Sequence, residues 1–164
     1  MRRKRSSTRS WPGPGAGRAA ACRSALPSTR CARTVLVVDA SVMAPALADD
    51  GADGDSARAR LSGESLAAPE LIDLETASAI RRQVRAGQLD ARRAGFALAD
   101  LVDLPLRRAP HRWLLERCWV LRENLTVYDA AYVALAEMLG VPLLTADAHL
   151  KAAPGPTCEI ELLR

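Results

Sequence analysis

Large aromatic side chains are scarce in this chain of 164 residues: Phe, Trp and Tyr together make up 4%. A core must therefore be assembled from Ala, Leu and Val. Histidine is scarcer still, with only His111 and His149, so catalysis resting on paired imidazoles is poorly supplied. No stretch approaches the roughly 18 uninterrupted apolar residues of a membrane span. There is no Gly-x-Ser-x-Gly elbow and no Walker sequence, which disfavours serine hydrolases and P-loop enzymes. The four cysteines, Cys22, Cys31, Cys118 and Cys158, form no CxxC pair. That spacing speaks against a disulfide framework or a zinc site and for free thiols in a reducing cytoplasm.

Acidic residues are missing altogether from positions 1–33, which hold eight Arg and one Lys and carry +9. Positions 34–164 hold 14 basic and 19 acidic residues and carry −5. The first segment is Arg, Ser, Pro and Gly with almost no large apolar residues, so it is expected to be a disordered basic extension. It has the composition of an organelle transit peptide or of a nucleic-acid-binding arm. The preferred expectation is translation from a start site set too early, because the pattern of a complete domain begins just after it.

From Thr34 the pattern changes. Thr34–Val38 is a short, fully apolar, β-branched run ending at Asp39 and is expected to be a buried strand of a parallel sheet. Helices are expected at Ser41–Leu47, Ser56–Leu61, from Pro69 to about Ala86, at Asp90–Val102, Arg112–Arg122 and Tyr128–Leu139, the last ended by Gly140. Residues 49–55 read as a loop. Further strands are expected at Leu104–Arg107, Val141–Thr145 and Cys158–Leu163. Strands alternating with helices imply an α/β sandwich around a mostly parallel sheet.

Four acids fall where such a fold concentrates function. Asp39 follows the first strand and Asp147 the Val141–Thr145 strand, and open α/β sheets bind ligands beyond the carboxyl ends of their strands. Glu75 lies on a helix face shared with Leu71, Ile72, Ser78 and Ala79, which should be buried. Asp73 lies on another face and reads as solvated. Asp129 is in the first turn of an apolar helix. Each has a plainer explanation: Asp39 and Asp147 as helix N-caps, Asp129 as part of a capping box with Thr126, and Glu75 as a partly exposed residue if the helix face is turned otherwise. Together the four point to one cleft.

Four segments carry a resemblance: Val37–Ser41, Leu71–Arg82, Leu125–Glu137 and Leu143–Asp147. In order and content they resemble the signature segments of the PIN-domain VapC toxins, and the likeness spans 34–164. The resemblance implies a PIN-like sandwich, with a central mostly parallel sheet flanked by helices. It implies a metal site of Asp39, Glu75, Asp129 and Asp147, supported by the hydroxyls of Ser41 and Thr145. It implies an endoribonuclease using Mg²⁺ or Mn²⁺, leaving a 3′-hydroxyl and a 5′-phosphate, held in check by a cognate antitoxin and working as a homodimer in the cytoplasm. Carboxylates are the appropriate ligands for such hard cations, and a cation lets phosphodiester hydrolysis proceed without histidine. The alternative is a non-cleaving PIN module that binds RNA or a partner. A small phosphatase is disfavoured because Ser41 stands where a DxD motif needs its second acid.

RNA would be held by basic groups, for which Arg81, Arg82 and Arg85 form one cluster and Arg107, Arg108, His111 and Arg112 another. Solvated helix ends are the plainer explanation of both clusters, and for Arg85 the helix dipole alone suffices. Leu98, Leu101, Trp113, Leu114 and Leu115 offer apolar surface for a homodimer.

Overall fold

The first strand, β1 (Val35–Val38), is Val-Leu-Val-Val, with all but Val35 buried. β-branched side chains suit a packed, pleated surface, and a strand covered on both faces reads as an unbroken apolar run. This computed structural model describes residues 35–164. The basic segment 1–33 and the start of the expected strand at Thr34 lie outside the described residues.

β1 leads into α1 (Ala40–Ala48) and α2 (Ala52–Leu61). Then come β2 (Ser65–Pro69), α3 (Ile72–Arg85), α4 (Ala91–Asp103) and β3 (Arg107–Ala109). A single 3₁₀ turn, His111–Trp113, precedes α5 (Leu115–Leu121) and α6 (Val127–Leu139). The chain ends with β4 (Leu143–Thr145), α7 (Ala148–Ala152) and β5 (Ile160–Leu162). The five strands form one sheet in the order β3-β2-β1-β4-β5, with every pairing parallel. The expected sandwich of a parallel sheet and flanking helices is the architecture found. α6 packs against β1, β2 and β4, while α1 packs against α2, α3 and α4.

This order has a functional consequence. The chain leaves β1 toward β2 and β3, then returns to add β4 and β5 on the other side. Between β1 and β4 the direction reverses, and at such a switch point the loops beyond the strands diverge and leave a crevice. The register pairs Val38 with Leu144, and the Asp39 amide continues the ladder to the Leu144 carbonyl at 3.0 Å. Asp39 and Thr145 therefore leave the sheet side by side.

Several elements differ from expectation. Ser65–Pro69 is a central strand, although Ser-Leu-Ala-Ala-Pro has little β propensity. Its burial on both faces, not its side-chain preference, holds it there. Pro69 ends this strand, opposite Ala109, and the helix begins at Ile72. β3 is Arg107–Ala109, shifted toward the carboxyl end of the Leu104–Arg107 stretch. α2 starts at Ala52, inside the stretch read as a loop. The Asp49 carboxylate accepts from the Gly51 and Gly54 amides at 2.8 and 3.2 Å and organises that start. A β-carbon at Gly54 would lie 1.9 Å from the Asp49 carbonyl oxygen, so only glycine fits. α6 ends as expected at Gly140, which takes the left-handed conformation at φ 65°.

The apolar surface is distributed differently as well. Leu101 on α4 and Leu114, between the 3₁₀ turn and α5, are core residues of the single chain, at 3% and 1% exposure. Leu98, Trp113 and Leu115 remain exposed, joined by Trp119 and Val120. Cys118 and Cys158 are free thiols. Among the described residues, no helix is long and apolar enough to cross a membrane.

Leu144, fully buried in β4, should be intolerant of truncation: Leu144→Ala is expected to cost about 2–5 kcal/mol in denaturant melts. Leu74, exposed on α3, should change stability by no more than about 0.5 kcal/mol on replacement by Ala.

Candidate active site

Asp39 stands between β1 and α1 with 7% exposure. Its backbone starts α1, accepting from the Val42 and Met43 amides, but its side chain makes no capping bond. Oδ2 instead accepts from the Ser41 hydroxyl at 2.6 Å and the Thr145 hydroxyl at 2.7 Å. Both hydroxyls are fixed from behind: the Ala146 amide donates to Ser41 Oγ and the Asp147 amide to Thr145 Oγ1. The two hydroxyl protons are thereby committed to Asp39. Ser41 and Thr145 hold a carboxylate, and neither is placed as a nucleophile.

The other three acids come from separate helices. Glu75 lies in α3, half-buried, and its Oε2 accepts from the Tyr132 hydroxyl at 2.6 Å. Asp129 lies in the first turn of α6, where its amide donates to Thr126 Oγ1 at 3.1 Å. The Thr126 hydroxyl donates back to the Asp129 carboxylate at 2.7 Å. This is a side-chain variant of the expected capping box. Asp147 begins α7 and caps it, accepting from the His149 amide at 2.7 Å. For Asp147 the plainer capping role is thus present alongside any other.

All four acids line one cavity of about 670 Å³, together with Ser41, Asp49, Asp53, Arg82 and Tyr128. A larger cavity of about 750 Å³, lined in part by Met43, Leu47 and Leu61, contains none of the four. The acids also sense one another. Burial is the main influence that raises the Glu75 pKa; the charges of Asp39 and Asp129 raise it further, and the Tyr132 hydrogen bond opposes them. Burial likewise raises Asp129, with Asp39 and Asp147 adding to it and Thr126 opposing. Such mutual perturbation in a cleft marks functional sites more often than structural ones.

The donor set fits a hard divalent cation: the cavity wall offers carboxylates and hydroxyls, but no thiol or imidazole. Among the described residues, no three acidic, His or Cys side chains stand close enough together to enclose a metal ion as they are.

The basic residues divide. Arg82 lines the acidic cavity, with only a 3.4 Å contact to Ser78 Oγ. Arg81 is exposed beside it. Arg108 is already matched: its Nε donates to both Asp73 oxygens at 2.8–3.0 Å and its Nη2 to the Leu101 carbonyl. Asp73 is therefore an ion-pair partner as well as a partly solvated acid, and Arg108 is not a free phosphate-binding group. Arg107 and Arg108 line a different cavity from the acids. Arg112 is exposed over the Trp113 ring at 5.9 Å. Sequence reasoning missed Tyr132, whose position three residues after Asp129 was the available signal.

Residues 36–156 match the family described as PIN domain. The chain is 46% identical over 129 residues to Ribonuclease VapC1 of Mycobacterium tuberculosis, covering 78% of this chain and 97% of that one. Among solved structures it resembles PAE2754 from Pyrobaculum aerophilum, with a TM-score of 0.59, 26% identity, and coverage of 82% and 92% of the two chains. VapBC2 from Rickettsia felis, solved bound to a DNA fragment from its promoter, shares the fold at a TM-score of 0.56 and 12% identity. That match covers 80% of this chain and 100% of that one.

The raised Glu75 pKa gives a stability prediction. A carboxyl whose folded-state pKa lies above its unfolded value stabilises the fold below the unfolded pKa, and loses that contribution as pH rises through the folded one. Metal-free wild type should therefore lose stability relative to Glu75→Gln as pH rises past the ordinary glutamate range. Denaturant melts in chelator check this; a difference that is flat or grows the other way contradicts it.

Proposed function

The chain belongs to the PIN-domain family of VapC-type ribonucleases, and we propose that it cleaves RNA using a divalent cation held by Asp39, Glu75, Asp129 and Asp147. The observation that carries this is the arrival of four carboxylates, from four separate elements, on one cavity at the carboxyl edge of the sheet. A divalent cation at such a site polarises phosphate oxygens and lowers the pKa of a water. Mg²⁺ and Mn²⁺ both match the oxygen-only donors. The positive charge also offsets a folded region that is otherwise acidic.

The chain's own groups have distinct work. Asp39 is held in place by Ser41 and Thr145. Arg82, the cation of the cavity wall, is suited to a phosphodiester oxygen of the RNA. Arg81 and Arg112 are exposed and available for more distant phosphates, as is Arg107. The complete set of acids favours cleavage over a non-cleaving RNA- or partner-binding module, which has no need of it.

As the toxin of a toxin–antitoxin pair, the protein works on cytoplasmic RNA and is restrained by an antitoxin. An Arg of that antitoxin would pair with the cavity carboxylates and compete with RNA. The exposed Trp113, Leu115, Trp119 and Val120 supply the apolar surface for a homodimer. Sedimentation at micromolar concentration is expected to give the dimer mass, and a monomer contradicts this.

Asp39→Asn and Asp129→Asn are each expected to reduce Mg²⁺-dependent RNA cleavage by at least about a hundredfold, the scale of losing one transition-state stabiliser, with the fold retained. Asp73→Asn, whose carboxylate meets Arg108 outside the cavity, should cut near the wild-type rate. A single-stranded RNA panel read by gel measures all three. Wild-type activity in Asp129→Asn would make the site assignment wrong.

A further inference from the structure

Tyr132 is the one aromatic side chain buried among the described residues, whereas Phe96, Trp113, Trp119 and Tyr128 are all more than half exposed. A phenylalanine would fill nearly the same volume, so what tyrosine adds to this core position is a hydroxyl. A buried phenol needs a partner for its hydroxyl, and this one has chosen a charged partner in the acidic cavity. Tyr132 lies three residues after Asp129, and residues so spaced share a helix face. The face of α6 that carries Asp129 at its first turn thus carries Tyr132 one turn further on. Its hydroxyl reaches from α6 to Glu75 on α3 and donates to Oε2 at 2.6 Å.

Without that bond, Glu75 would be a flexible side chain facing the like charges of Asp39 and Asp129 across the same cavity. The bond occupies one carboxylate oxygen. Among the described residues, Oε1 accepts no hydrogen bond. A free phenol titrates at about pH 10, so at neutral pH the hydroxyl has a proton to give to Glu75. This is how a partner behind a metal ligand behaves: it fixes the ligand's orientation and leaves the other oxygen free.

We propose that Tyr132 is a positioning residue, whose hydroxyl orients Glu75 so that the second carboxylate oxygen is presented to a divalent cation in the acidic cavity. This rests on the metal-dependent reading above. The competing role is plain core packing, in which the hydroxyl matters only to stability.

The test is calorimetric titration of the full chain with Mn²⁺ after chelator treatment, alongside thermal melts in chelator. Tyr132→Phe removes one oxygen and keeps the ring. It should melt cooperatively in chelator and bind Mn²⁺ about 10- to 100-fold more weakly, the usual range for losing a partner behind a ligand. In a Glu75→Gln background the same change should add little, because its effect runs through Glu75. Wild-type Mn²⁺ affinity in Tyr132→Phe, or a full additive loss in the double variant, overturns the proposal while leaving the metal site standing. So does a Tyr132→Phe protein without a cooperative melt, which would assign the hydroxyl to the core. Wild type that takes up no Mn²⁺ overturns both the metal-dependent reading and this one.

Discussion

A nearly buried carboxylate is the constraint around which this molecule is arranged. Asp39 is 7% exposed, and a charge removed from water is costly unless it is hydrogen-bonded. The Ser41 and Thr145 hydroxyls meet that need, and each is fixed by a backbone amide of the turn after β4. The network requires β1 and β4 to be neighbours, parallel and in this register. It therefore couples the topology of the sheet to the position of one side chain. A slip of either strand would separate the carboxylate from Thr145 and leave the charge unmatched.

The remaining acids are held by the same kind of device, a hydrogen-bond donor behind the carboxylate: Thr126 for Asp129, the His149 amide for Asp147 and Tyr132 for Glu75. Like charges about 5 Å apart repel by roughly 3 kcal/mol at an effective dielectric near 20, so acids in one cavity do not assemble unaided. Elsewhere the fold pairs its acids with arginine, as in Arg117–Glu137, Arg60–Glu161 and Arg108–Asp73. At the cavity it uses neutral donors, which orient a carboxylate without cancelling its charge. Charge kept in this way is useful for holding a cation and wasteful for stability.

The parts of this arrangement that follow from periodicity were legible in the sequence. An apolar run ending in Asp39, and another ending at Thr145 before Asp147, identify the ends of buried parallel strands. The spacing of Leu71, Ile72 and Ala79 turns Glu75 toward the core side of α3. What was not legible depends on contacts between distant segments. β2 is Ala-rich and carries no strand signal of its own; its place between β1 and β3 is a consequence of packing. The Asp73–Arg108 pair joins residues 35 positions apart, which no local pattern reveals. Leu101 and Leu114 look like surplus apolar surface until the helices are placed. Tyr132 is hidden because α6 is apolar nearly all round, so one polar atom on it draws no attention until Glu75 is brought to it.

Anomalous diffraction from crystals soaked in Mn²⁺ distinguishes a cation site of four carboxylates from a set of helix caps that happen to share a cleft. An anomalous peak is expected in the acidic cavity, within about 2.0–2.3 Å of carboxylate oxygens that include Asp39, the distance of a hard cation. A cavity without a peak at millimolar Mn²⁺, or a peak bound only by acids outside it, would leave the four acids as caps and not as cation ligands.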